Sequence, residues 1–241
     1  QPGFSGDGGP AINASLNNPD KIALDLNGNL LIADTNNHRI RMVDARTGII
    51  RTIAGNGRAD FSGDGGSPTQ ASLNSPNSIT VGPNGNIFIA DTGNRRIRAI
   101  DINQGIIITI AGNGMPTNQG DNGPANRASI GRPEDVALDG AGNLLIADSE
   151  NGQVRIVNRT GMIRTLAGSG QQNFGGDGRL ALLAKIDLLV DGGVIIDRLS
   201  NIFFIDQSNQ RIRRIDARTG MINTVAGNGQ GGFSGGGGPG T

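Results

Sequence analysis

Residues 27–44 read NGNLLIADTNNHRIRMVD, and residues 84–101 return as NGNIFIADTGNRRIRAID. In each stretch an asparagine-glycine pair precedes an apolar run that ends in aspartate. A short polar turn and a second run, mixed Ile and Arg, follow, which is the grammar of a β-hairpin. The closing aspartate recurs as Asp34, Asp91, Asp148 and Asp206, spaced 57, 57 and 58 residues apart, so the chain is an array of four copies.

Working outward, the first copy holds four short runs rich in Ile, Leu and Val, at residues 22–25, 30–34, 40–43 and 49–54. Runs of this length and composition predict strands. Asn27-Gly28 and Asn84-Gly85 supply one tight turn, and Thr47-Gly48, Thr160-Gly161 and Thr219-Gly220 a second. Each copy is therefore read as a four-stranded antiparallel meander. So small a sheet cannot bury both faces alone and must stack on its neighbours, and four strands per copy favours propeller blades over solenoid coils. The expected fold is an all-β β-propeller of four-stranded antiparallel blades, four in this chain, at about residues 20–56, 77–113, 134–169 and 192–228, within one domain or propeller segment spanning residues 1–241.

The repeat exceeds an ordinary blade of about 40 to 50 residues. The surplus lies in the connection between copies, where residues 55–78 read GNGRADFSGDGGSPTQASLNSPNS, 24 residues. Loops of that length are commonly functional, while PTQASL predicts a helical turn that packs on the blade edge. Alternating strand direction places these loops on one face with the turns between second and third strands. The NGN and TG turns lie on the other face. Binding is expected on the first.

Composition narrows the partners. Lys plus Arg and Asp plus Glu are both 21, which leaves no field to draw the chain onto nucleic acid or an anionic membrane. Insertion into a membrane is not expected, since no stretch approaches the required run of about 20 apolar residues. Cysteine is absent, which removes thiolate nucleophiles and disulfides. With no Trp or Tyr, the usual stacking platforms for sugars and single strands are missing.

NPDKIALDLNGNLLIADTNNHRIRMVD, residues 18–44, resembles the NHL repeat, and GFSGDGGPA, residues 3–11, resembles the long loop between blades in its bacterial versions. The resemblance is good in the third copy through RPEDVALDGAGNLLIADSENGQVRIV and weaker in the fourth, AKIDLLVDGGVIIDRLSNIFFID, which lacks the Asn-Pro signal. It implies a β-propeller that serves as a recognition platform, in a bacterial protein secreted or held in the periplasm. A few such propellers resemble lyases or hydrolases, so fold is implied more firmly than activity. The motif GFSGDGGP at residues 3–10 recurs as GFSGGGGP at 232–239. A closed four-bladed ring, a length of a larger propeller and an assembly of partial rings all stay open.

The most specific polar pattern joins the aspartate ending each second strand to an arginine opening the third: Asp34 with Arg39, Asp91 with Arg96, Asp148 with Arg155 less regularly, and Asp206 with Arg211. A pair repeated in every blade reads as a bridge that fixes the turn. Asp7, Asp64, Asp121 and Asp177 sit among loop glycines and read as turn formers. Asp25, Asn27, Asp139 and Asp197 follow or lie near the first strand and are calcium candidates, although no distal bidentate glutamate accompanies them. His38 is the sole histidine, which excludes a multi-histidine metal site, and no G-x-S-x-G elbow is present. Phe4, Phe61, Phe174 and Phe233 share one loop phase and are expected to anchor the loop to the blade.

Catalytic residues and cofactors are therefore not expected, calcium apart. The reading is a non-enzymatic interaction or structural module, a scaffold that recognises a protein or surface polymer through Asn36, Asn37, Asp64, Asn94, Asp121, Asn151 and Asp177. One alternative is a metal-dependent propeller enzyme with Asp25, Asp139 and Asp197 around a central opening. Another is a structural repeat protein that self-associates because its ring is incomplete.

Overall fold

The computed structural model describes residues 3–188 and 193–232. Four antiparallel sheets follow the repeat, each with its strands side by side in chain order. Blade one is Pro19–Leu24, Leu30–Asp34, Arg39–Val43 and Ile50–Ala54. Blade two is Pro76–Val81, Ile87–Asp91, Arg96–Asp101 and Ile106–Ala111. Blade three is Pro133–Leu138, Leu144–Asp148, Gln153–Val157 and Met162–Ala167. Blade four is Val194–Ile196, Ile202–Asp206, Arg211–Ile215 and Met221–Ala226. These are propeller blades, and no α-helix occurs among the described residues.

The chain divides into two compact units, residues 1–115 and 116–241, each holding two blades. In the first, Leu31, Ala33, Ile40 and Ala54 of blade one pack with Leu73, Ile79 and Ile89 of the copy that follows, all buried. In the second, Ala147, Val154 and Ala167 of blade three meet Ala184, Ile186, Leu188 and Val194. Ala33 and Ala147, before the second-strand aspartates of blades one and three, let the sheets approach, and burying each larger aliphatic side chain contributes about 1.5–3 kcal/mol.

Each long connection runs back along the outer strand of the blade that follows it. Gly8 donates to the Ile50 carbonyl and Ile50 to that of Gly9, both at about 3 Å. Gly65, Ile107 and Gly66 repeat the exchange. In blades three and four it becomes a two-residue strand, Gly123–Pro124 on Met162 and Ile163, and Arg179–Leu180 on Met221 and Ile222. The outer edge, otherwise open to pairing with other chains, is thereby covered. The segment PTQASL contributes one 3-10 turn, Pro68–Gln70.

Third and fourth strands share one irregularity. Ile40 faces Ala54 but Arg41 faces Thr52, so Ile53 is an extra residue, and the same bulge falls at Arg98, Arg155 and Arg213. Bulges bend a strand and re-aim its side chains. Here the residue of the third strand that faces the bulge is always arginine.

Candidate functional site

Strand alternation puts Arg39 and Arg41 on the face opposite Ile40 and Met42. Arg41 is fully buried and lies between two carboxylates: Nη1 is 3.3 Å from Asp34 and Nη2 is 2.7 Å from Asp7 of the preceding loop. Arg98 repeats this with Asp91 at 3.4 Å and Asp64 at 2.7 Å. Arg155 lies 3.8 Å from Asp148 and 2.5 Å from Asp121, and Arg213 lies 2.8 Å from Asp206 and 2.7 Å from Asp177. The inner aspartates are fully buried, and the loop aspartates are 37–39% exposed. Each Arg Nε is buried without an acceptor, so the clasp is held by the terminal nitrogens alone.

The expected partner is thus corrected in three blades. Asp34, Asp91 and Asp206 meet Arg41, Arg98 and Arg213, two residues beyond Arg39, Arg96 and Arg211, whereas in blade three Asp148 does meet Arg155. Arg39 instead donates to the carbonyls of Asn37 and Asn56, at 3.0 and 2.9 Å, and stacks 3.8 Å above the Phe4 ring. Arg96 over Phe61 and Arg211 over Phe174 repeat this at 3.8 and 3.7 Å. Blade three lacks both members, with Asn118 and Gln153 in their places. Phe233 lies outside the described residues. Gly57 completes the rim, since a Cβ there would strike the Arg39 guanidinium.

The turn asparagines tie the inner carboxylate to the loop. Asn37 donates to Asp34 at 2.9 Å and to the Gly3 carbonyl at 2.7 Å. Asn94 joins Asp91 to Asp60, and Asn151 joins Asp148 to Thr117. Long loops and second-to-third turns therefore share a face. Asn36 is exposed there, its N–H on the Asn17 carbonyl. Of the seven side chains expected to form a binding face, six are engaged in these internal contacts: Asn37, Asp64, Asn94, Asp121, Asn151 and Asp177. At the turn's end His38, Arg95, Gly152 and Gln210 all have φ between 52 and 55°, so blade three's counterpart of His38 is Gly152.

Burial pushes Asp91 up to about 6, against the Asn74 N–H, Asn94 and Arg98, and burial also raises Asp148. Burial works the same way on Asp121, but the Thr165 N–H and hydroxyl together with Arg155 outweigh it and hold that carboxyl below its ordinary value.

On the opposite face the calcium candidates serve their own hairpins. Asp25 accepts from the N–H groups of Asn27 and Asn29 and from the Asn29 amide, at 2.8, 2.9 and 2.8 Å. Asp139 does so with Ala141 and Asn143, and Asp197 with Leu199 and Asn201. Both oxygens of each carboxylate are thus engaged. No group of three His, Asp or Glu side chains gathers at metal-binding distance among the described residues. A mainly apolar cleft of about 400 Å³ opens in the first unit, lined by Leu26, Met42, Ile53, Ile87, Ile100 and Arg51 among others.

The profile of the teneurin NHL domain matches residues 2–60 and 55–101, and that of the NHL repeat matches residues 131–157. NHL repeat-containing protein 2 of Homo sapiens is 27% identical over 245 residues, covering 90% of this chain. The chain spans 33% of that relative's length. Among solved structures, an auxiliary nutrient binding protein from Bacteroides thetaiotaomicron superposes with a TM-score of 0.63 at 15% identity, over 93% of this chain and 50% of its own. A chain of a nidogen/laminin complex gives 0.58 at 17% identity, over 87% and 64%.

Proposed function

Since the chain belongs to the NHL-repeat family, whose propellers typically serve as protein-interaction modules, we propose that it recognises a protein or surface polymer through the face of its long loops, without catalysing a reaction, in a secreted or periplasmic setting. One observation carries the reading: constant clasps hold variable tips. Beyond the Asp–Arg–Asp contact, the exposed residues differ from blade to blade, Arg58, Ala59 and Asp60 in one loop, Met115 to Gln119 in the next, and Gln171, Gln172 and Asn173 in the last. A rigid frame with differing exposed loops is how many binding surfaces are built.

The binding residues are accordingly the tips, with Asp64, Asp121, Asp177, Asn94 and Asn151 shaping the backbone that presents them. A neighbour of the same fold comes from a nidogen/laminin complex, which supports a protein partner over a small molecule. The test is an array of extracellular-matrix proteins and polysaccharides probed with this chain and with a variant whose residues 115–119 are replaced by glycine and serine. Loss of a wild-type signal at unchanged Tm is expected. A signal untouched by replacing each variable tip in turn would sink the reading.

A further inference from the structure

The cleft of about 400 Å³ in the first unit lies between blade one and blade two, on the face of the NGN turns, and every residue that lines it belongs to those two blades. Its floor is Met42, Ile87 and Ile100, all buried in the core of that unit, with Ile53 packed against them. At its mouth Leu26 and Ile102 are 64% and 49% exposed. They converge from the two blades over Gly85, where an added Cβ would stand 3.6 Å from the Cδ1 of Leu26 and 2.6 Å from that of Ile102. A volume of this order, with apolar walls and a few polar groups at the rim, is that of a small-molecule pocket.

Two charged side chains border the cleft. Asp25 is taken up by its own hairpin, both of its oxygens accepting hydrogen bonds. Arg51 stands directly opposite Met42 on the neighbouring strand, so it projects from the face of blade one that meets blade two. Its side chain is exposed and makes no ion pair or hydrogen bond among the described residues. The other copies supply a comparison. Arg51 becomes Ile108 in the second copy, and Leu26 and Ile102 become Gly140 and Ala217 at the matching positions of the second unit. Arginine and an apolar mouth therefore occur together in the first unit alone.

We propose that this cleft binds a small single-chain amphiphile with one carboxylate, its hydrocarbon chain against Met42, Ile53, Ile87 and Ile100 and its carboxylate on the Arg51 guanidinium. The head is argued from charge: one arginine with its fork unoccupied matches a monoanion whose two oxygens accept parallel hydrogen bonds. The tail is argued from the floor, where aliphatic and thioether side chains continue the core of the unit to the surface. The site lies on the face away from the variable loop tips, so it stands or falls independently of the recognition proposed for them.

Titration calorimetry of the whole chain with sodium hexanoate, octanoate and decanoate, each below its micellar concentration, tests this. One saturable site is expected, tightening about fourfold for each further methylene buried. Arg51→Ile, which installs the residue that blade two carries there, should weaken octanoate about tenfold or more without weakening 1-octanol, a split that a merely structural role would not produce. Leu26→Gly combined with Ile102→Ala, the small residues of the second unit, should weaken octanoate and 1-octanol alike. All three positions are exposed, so an unchanged Tm is expected and checks the fold. Absence of saturable binding across the series would overturn the proposal. So would octyltrimethylammonium binding as tightly as octanoate, or Arg51→Ile holding octanoate as tightly as wild type. Peptides ending in a free leucine carboxylate are the rival occupant, and tighter binding of these than of any alkanoate would assign the cleft to a protein terminus and overturn the proposal as well.

Discussion

Arg98 serves two carboxylates from a fully buried position, so its charge cannot be removed without stranding Asp91 in the interior. Breaking one side of such an arrangement typically costs about 3–5 kcal/mol. Arg98→Met is expected to destabilise by that amount, read as a fall in the urea midpoint. Arg96→Met should cost about 1–2 kcal/mol, since its partners are neutral carbonyls at a partly exposed rim. Equal losses would contradict this division of labour. The choice between these arginines was not legible from local pattern, because both lie on one face of the strand and the loop aspartate arrives from 34 residues away. One signal was present: arginine recurs at 41, 98, 155 and 213, but the position of Arg39 becomes Gln153 in the third copy.

Strands and hairpin turns were readable because their periods are local, two residues for a strand and a fixed Asn-Gly for a turn. The destination of the long loop was not. Nothing in GFSGDGG states whether it covers the blade before it or the one after; the answer lies in Gly65 pairing with Ile107, 42 positions on. That pairing is a prediction at the level of the sheet. Gly65→Pro removes the N–H that meets the Ile107 carbonyl and cannot adopt the φ of 80° found there. Amide exchange along the outer strand of blade two should accelerate, by about tenfold if one hydrogen bond of roughly 1.4 kcal/mol is lost. Exchange unchanged at Ile107 would show that the loop does not guard the edge.

For the chain as a whole, acid acts in two directions. A carboxyl raised on folding contributes most below its unfolded value of about 4, so Asp91 favours the folded state in acid and loses that contribution as pH rises through about 6. Asp44, Asp121, Asp197 and Asp216 are lowered, and their contributions are present above about pH 4 and lost below it. His38, lowered by burial and Arg39, also favours folding above its unfolded value and ceases to as pH falls. Comparison with Asp91→Asn isolates one term: the stability of wild type relative to this variant should grow between pH 7 and pH 5 in urea titrations. A gap independent of pH would mean that the carboxyl titrates at its ordinary value. The clasp also sets where this protein can be cut and copied. A segment taken from residue 55 to 111 carries Asp64, Asp91 and Arg98 together, whereas one taken from 18 to 75 leaves Arg41 without Asp7 and brings Asp64 without its arginine. The self-contained unit of this array is therefore a loop followed by a sheet, and a single segment excised in the other frame would carry an open clasp at each of its ends.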